Sequence, residues 1–188
     1  MVNKTDKPVL LLVDIQKGLD DWPFYGGERN NLNAEANAQR LLQFWRSKQW
    51  PIVHVRHSSK NSKSPLHDSK PGFAIKTEVA PQNHETVITK QENSAFIGTG
   101  LERLLKDQGS SKVVIVGLTT NHCISSTARM AGNLDFDTYV IADATAAFAI
   151  KGIDGTKFSA ATVHEVSLAN LNKEFATVLT TAVILQQW

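Results

Sequence analysis

The chain has one cysteine, Cys123, in the stretch Gly117-Leu-Thr-Thr-Asn-His-Cys123 that follows the apolar run Val113–Val116. A helix is expected next, because Ile124, Thr127, Ala128 and Ala131 share one face. The thiol therefore falls within that helix's first turn, where unpaired backbone N–H groups and the positive end of the dipole favour a thiolate. The same N–H groups can hold an oxyanion developing on an attacked carbonyl. The competing reading is a small buried apolar residue, a common fate of a free cysteine. Two further residues need explaining. Asp14 directly follows Leu10-Leu-Leu-Val13, and a carboxylate there is costly to bury unless paired. It is either a general base near the thiol or a loop hydrogen-bonder. Lys90 ends Val87-Ile-Thr89 and, taken alone, would be a solvated lysine. Together, an aspartate, a lysine and a cysteine suit nucleophilic catalysis: the carboxylate takes the thiol proton and the ammonium steadies both anions.

Strand ends must bring these residues together. The apolar, β-rich runs are Val9–Ile15, Ile52–Val55, Thr86–Thr89, Val113–Val116 and Thr138–Ala142, with a sixth at Ala176–Leu179. Continuous apolar runs suit strands buried on both faces of a parallel sheet. Helices alternate with them. Ala34, Ala38, Leu41, Leu42 and Trp45 form one stripe, closed before Pro51. Thr99-Gly-Leu-Glu102 has the form of a capping box ahead of Leu104 and Leu105, with Gly109 as the stop. Phe158–Leu171 reads as a further helix. The expected fold is an α/β three-layer sandwich, doubly wound and Rossmann-like, with a mainly parallel six-stranded sheet and helices on both faces. In such sheets ligands bind beyond the carboxyl ends of the strands. Asp14, His54, Arg56, His57, Lys90, Cys123 and Asp143 all fall at such ends. Ser58–Asn83 is aperiodic and rich in Ser, Lys, Pro and His, and is expected to be a lid or an oligomer contact.

The 188 residues suit one domain, 1–188. With a formal net charge of +2 and scattered basic residues, nothing points to nucleic acid or an anionic membrane. One cysteine cannot make an internal disulfide, and the N-terminal apolar run is too short and too acidic for a signal peptide or a membrane span. The expectation is a cytoplasmic protein acting on a small molecule. A Gly-x-Gly-x-x-Gly after a strand, a Gly-x-Ser-x-Gly elbow and a Cys-x-x-Cys pair are all lacking from the sequence. Dinucleotide binding, serine α/β-hydrolase chemistry and thioredoxin-type redox chemistry are thereby disfavoured.

Leu11-Leu-Val-Asp-Ile-Gln16, Thr89-Lys-Gln-Glu-Asn-Ser-Ala-Phe96 and Val114-Ile-Val-Gly-Leu-Thr-Thr-Asn-His-Cys-Ile-Ser-Ser-Thr-Ala-Arg129 resemble the isochorismatase-like cysteine hydrolases, as does His164-Glu-Val-Ser-Leu-Ala-Asn-Leu-Asn-Lys-Glu-Phe-Ala176. The likeness spans nearly the whole chain in the right order. It implies Asp14 as proton carrier, Lys90 as charge partner and Cys123 as nucleophile. It also implies a cis peptide between Leu118 and Thr119, with the N–H groups of Thr119 and Cys123 as oxyanion hole. The implied reaction is hydrolysis of an amide, ureido or imide C–N bond through a thioester. A homo-oligomer is expected on the same ground.

Some residues depart from the resemblance. The nicotinamidase branch carries an Asp-x-His metal motif, whereas this chain has Val55-Arg-His57, and His57 with His67 alone would be a weak site. No cofactor or metal is expected. Thr120-Asn121 replaces the Thr-Asp of many relatives, and the cysteine argues against isochorismatase-type ether cleavage. Gln16, Trp22, Phe24, Phe96 and His122 are candidate substrate contacts. For Gln16 the alternative is a turn cap, and for His122 a surface turn. Tyr25 and Phe148 could also wall an apolar pocket, with core packing the alternative. His164 reads as a packing or surface histidine. A non-catalytic scaffold of the same fold, or a hydrolase of a non-amide substrate, remains the alternative function.

Overall fold

A computed structural model describes residues 7–188. In chain order the elements are β1 (Val9–Val13), α1 (Ala34–Lys48), β2 (Ile52–His57), β3 (Thr86–Lys90), α2 (Leu101–Asp107), β4 (Lys112–Leu118), α3 (Ser125–Asn133), β5 (Asp137–Ala146), β6 (Ile150–Lys151), β7 (Lys157–Phe158), α4 (Ala160–Leu171), β8 (Thr177–Leu179) and α5 (Thr181–Gln187). Six strands form one sheet in the order β3-β2-β1-β4-β5-β8, every neighbouring pair parallel. β6 and β7 form a separate antiparallel pair that nothing in the sequence suggested.

The alternating faces of β1 explain its unbroken apolar run. Val9, Leu11 and Val13 pack with Leu101 and Leu105 of α2, Ala128 of α3 and Leu171 of α4. Leu10 and Leu12 pack with Leu41, Leu42 and Trp45 of α1 and Ile184 of α5. Both faces are dry, and each fully buried leucine stabilises the fold by about 1.5–3 kcal/mol. The Trp45 indole N–H donates to the Pro8 carbonyl at 2.9 Å, so this large side chain enters the core with its polar atom satisfied.

The order of strands places the site. From β1 the chain winds outward through β2 and β3, then returns to the other side of β1 for β4, β5 and β8. The winding reverses between β1 and β4, which opens a crevice at their carboxyl ends. Two details sharpen that corner. Gly117 on β4 has φ +125°, and a Cβ there would lie 1.9 Å from the Val13 carbonyl oxygen, so only glycine lets the two strands approach. The β4–β5 register also shifts, from Ile115 opposite Val140 to Gly117 opposite Thr145. This irregularity extends β5 past the expected Ala142 to Ala146 and carries Phe148 to the crevice, in keeping with the habit of bulges to re-aim chains near sites.

Several local expectations need correction. The capping box at Thr99 does not form: α2 begins at Leu101 with Gly100 as its N-cap, while the Thr99 hydroxyl donates to the Ala95 carbonyl at 2.6 Å. The phenyl-bearing start of the fourth expected helix belongs instead to β7, and Ser159 caps α4 by accepting from Thr162 N–H at 3.1 Å. Thr180 caps α5, and the Asp143 carboxylate at the end of the fifth expected strand accepts from the Thr181 N–H at 2.8 Å. The Ser58–Asn83 stretch is irregular but pinned. It contains 3-10 turns at Pro71–Phe73 and Thr77–Val79, and Lys76 N–H donates to the Ile15 carbonyl at 2.9 Å. The Lys76 ammonium, largely buried, bridges Asp20 at 2.5 Å and Glu35 at 2.7 Å.

Candidate active site

Asp14 is the first residue after β1. Its φ is +55°, a left-handed conformation that Asp and Asn adopt more readily than most residues. Its N–H donates to the Val55 carbonyl at 2.8 Å, which fixes the turn against β2. The residue is 2 % exposed. Lys90 closes β3 opposite His57 of β2 and is 1 % exposed. Its Nζ lies 2.7 Å from Asp14 Oδ2, 3.3 Å from Cys123 Sγ and 3.1 Å from His57 Nδ1. Three ammonium protons thus meet three acceptors. The contact requires His57 to offer a lone pair at Nδ1, hence to be neutral. Burial and the adjacent Lys90 charge both push the His57 pKa below its ordinary value, which agrees.

Gln16 holds His57 in place. Its side-chain amide donates to the His57 carbonyl at 3.0 Å and the Phe73 carbonyl at 2.9 Å, and its oxygen accepts from the His57 N–H at 2.7 Å. The residue is fully buried, with every proton and a lone pair committed. The expected substrate contact from Gln16 is therefore replaced by a clamp between β2 and the Pro71–Phe73 turn.

Cys123 sits in a π-helical turn, Thr120–Ile124, that leads into α3. Such turns often mark functional sites. Thr127 fastens α3 to the segment after Lys90, its hydroxyl accepting from the Ala95 N–H at 3.0 Å. Behind the turn, the Thr120 hydroxyl and His164 Nδ1 lie 2.8 Å apart, and His164 is buried, so its role is internal packing of the turn. The peptide between Leu118 and Thr119 is cis. The expectation of a resting thiolate is not met. Burial first, then the Asp14 charge, pushes the Cys123 thiol well above its usual range, and Lys90 offsets this only in part. The sulfur therefore rests as a thiol and needs a base in the reaction.

A cavity of about 400 Å³ opens on this corner. Asp14, His57 and Cys123 form its floor, Thr119 and His122 one side, and Tyr25 and Phe148 another. The Tyr25 and Phe148 rings stack with centroids 5.2 Å apart. Leu66 and Ser64 from the Ser58–Asn83 stretch complete the wall, so that stretch is part of the site. His122 faces the cavity as expected, its Nδ1 3.1 Å from the Thr119 hydroxyl, and burial lowers its pKa. The other aromatic candidates do not reach the cavity. Phe96 is in the core, stacked on Phe136. Phe24 is 49 % exposed, and Trp22 packs behind Leu19 and Phe148. Phe24 is the neighbour of Tyr25 in the same 3-10 turn, so its side chain leaves the chain in a different direction. Asn121, named above only as a departure from the family pattern, lines the cavity, and so do Ser59, Ser64 and Asn93, which the sequence did not single out. Polar loop residues carry no periodic signal.

Asp14, His57 and Cys123 present donor atoms all within 4.8 Å of one another. Lys90 Nζ already stands within hydrogen-bonding distance of each, so an ammonium takes the position a cation would need. His67 instead pairs with Ser69 and Asp68 near the surface, away from His57's cluster.

Residues 8–183 match the model of the isochorismatase domain. The chain is 51 % identical over 176 residues to the uncharacterised isochorismatase-family protein YrdC of Bacillus subtilis, covering 94 % of this chain and 93 % of that protein. It is 29 % identical to the maleamate amidohydrolase of Pseudomonas putida, over 96 % of this chain and 86 % of that enzyme. An isochorismatase-family crystal structure from Chromobacterium violaceum superposes with a TM-score of 0.92 at 44 % identity, covering 99 % of this chain and 95 % of the other. No described helix is long and apolar enough to cross a membrane.

Proposed function

The chain belongs to the isochorismatase family of hydrolases, and from that premise we propose that it hydrolyses a small-molecule amide or ureido C–N bond through a thioester on Cys123. The observation that carries this reading is the buried contact of Lys90 Nζ with both Asp14 Oδ2 and Cys123 Sγ, at 2.7 and 3.3 Å. A carboxylate, an ammonium and a thiol at the floor of one cavity are costly to assemble unless chemistry uses them. Asp14 Oδ1 adds support, being buried without a hydrogen-bond partner. A scaffold has no use for such an oxygen, whereas a general base needs a free lone pair. The similarity to a maleamate amidohydrolase favours C–N over ether cleavage.

The steps follow from these roles. Asp14 takes the proton of the Cys123 thiol as sulfur attacks the carbonyl carbon. The backbone N–H groups of Thr119 and Cys123, at the cavity edge, stabilise the resulting oxyanion. The C–N bond breaks as Asp14 returns the proton to nitrogen, releasing ammonia or an amine and leaving a thioester. Water then attacks the thioester carbonyl, again giving a proton to Asp14. The C–S bond breaks, the acid departs and the sulfur regains its proton. Lys90 stays charged throughout and offsets the negative charge shared between carboxylate and sulfur.

The test is ammonia release from a panel of small amides, ureido acids and nicotinamide, with the Cys123→Ala variant as blank. Release by the wild-type protein and none by the variant is the expected result. Equal rates in both would remove the nucleophile.

A further inference from the structure

We propose that the substrate is an uncharged amide with a flat apolar acyl group, and that the cavity rejects amides carrying a carboxylate. This rests on the amide-hydrolase reading and names the substrate class of the same site.

The charge of the cavity carries the inference. Among the described residues lining it, no lysine or arginine occurs, and Asp14 is the only residue with a formal charge. The nearest ammonium, Lys90, has its three protons committed to Asp14, His57 and Cys123. The two lining histidines do not supply a cation either. His57 accepts at Nδ1 from Lys90 and is neutral, and burial disfavours the charged form of His122. A substrate carboxylate entering this space would lose its water and find no counter-ion, beside an anion that stays.

The polar atoms left free agree. Asp14 Oδ1, Asn121 Oδ1 and the Tyr25 hydroxyl are buried without hydrogen-bond partners, and all three residues line the cavity. Two of these atoms are acceptors, which suit the N–H groups of a neutral carboxamide. A carboxylate offers acceptors only, so at Asp14 Oδ1 and Asn121 Oδ1 its oxygens would meet other oxygens. Burial raises the Tyr25 pKa to about 12, so its hydroxyl stays protonated. The uncharged wall mixes the polar Ser59, Ser64, Asn93 and Thr119 with the apolar Leu19, Leu66, Leu118 and Ile150, and the stacked Tyr25–Phe148 pair adds two aromatic rings. At about 400 Å³ the space is near the small end of ligand pockets.

The test uses two pairs of amides matched in shape and differing in charge: 4-nitrobenzamide with 4-carbamoylbenzoate, and 4-oxopentanamide with succinamate. Binding is measured by thermal shift and calorimetry on the Cys123→Ala variant, and turnover by ammonia release from the wild-type protein. The neutral member of each pair is expected to bind, and to be hydrolysed, about a hundredfold better, the scale set by an unpaired buried charge. The Ile150→Arg variant, which installs a cation at a residue 41 % exposed, should narrow that ratio to about tenfold. Equal or tighter binding of the carboxylates, or no binding of either neutral amide, overturns the proposal. Neutral-selective binding with no ammonia release upholds the charge preference and removes the hydrolase reading instead, so the two failures are distinct.

Discussion

Lys90→Met deletes the buried ammonium while keeping the length and bulk of the stem. The ion pair it breaks is sheltered on both sides, with side-chain exposures of 0 % and 2 % for Lys90 and Asp14, so solvent screening does not soften the loss. Asp14 Oδ1 already lacks a partner, and the substitution leaves Oδ2 without its donor as well. Removing one member of a buried pair costs about 3–5 kcal/mol, chiefly through the uncompensated charge left behind. For a chain of this size each kcal/mol lowers Tm by roughly 2–4 °C, so the variant should melt about 6–20 °C below wild type. Urea unfolding gives the free energy and calorimetry the melting point. The double variant Asp14→Asn/Lys90→Met removes both charges and should recover a large part of the loss, since the two residues are in contact. A single variant within about 1 kcal/mol of wild type, or a double variant whose losses simply add, would refute the view that this pair is strongly coupled.

Other outcomes follow from the same geometry. Asp14→Asn should lower the hydrolytic rate by at least ~10², and steady-state kinetics with a hydrolysed amide would show an unchanged rate if another base served. Gly117→Ala should cost about 3 kcal/mol or more, because the added methyl meets the Val13 carbonyl at 1.9 Å with φ at +125°. A wild-type urea midpoint in that variant would mean that β1 and β4 can part without penalty. Alkylation of Cys123 by iodoacetamide tests its raised pKa. A raised pKa leaves the thiol protonated at neutral pH, so the reaction should lag behind free cysteine at pH 7 and should still be climbing with pH where free cysteine has levelled off. Rapid labelling at pH 7 would contradict this. Glu85, bonded to Arg46 and His54, has its pKa lowered from 4.5 to about 2 despite the opposing effect of burial. Its contribution to stability is complete above about pH 4.5 and vanishes as pH falls to about 2. Glu85→Gln should therefore flatten the acid limb of the stability profile, and an unaltered limb would assign acid unfolding elsewhere.

Much of this architecture is legible in the sequence because strands buried on both faces leave an unbroken apolar signature. The runs beginning at Val9, Ile52, Thr86 and Val113 are strands of the sheet, and the stripe from Ala34 to Trp45 is a helix. Asp14, Lys90 and Cys123 stand out because a polar residue directly after such a run, or in the turn beyond it, is anomalous. Their meeting at Lys90 Nζ comes from strand order, which places β1 between β2 and β4. Side-chain direction at turns is less legible. Gln16 follows the same motif as Asp14, yet lies buried beneath His57 because the turn at φ +55° redirects the next residues. Trp22, Phe24 and Tyr25 share one 3-10 turn, and only Tyr25 faces the cavity. Ser64 and Leu66 acquire their place from long-range pinning of their segment: the Cβ of a residue replacing Gly18 would lie 2.9 Å from the Pro65 carbonyl oxygen. Nothing local in the sequence announces that contact.

The most direct measurement is rapid acid quench followed by intact and peptide mass spectrometry, on wild-type protein turning over an amide found in the ammonia-release panel. The account predicts a transient adduct of the acyl mass on the peptide bearing Cys123, cleaved by hydroxylamine as a thioester is, and absent from Cys123→Ala. Sustained ammonia release with the sulfur never acylated, or an adduct on another residue, would contradict it.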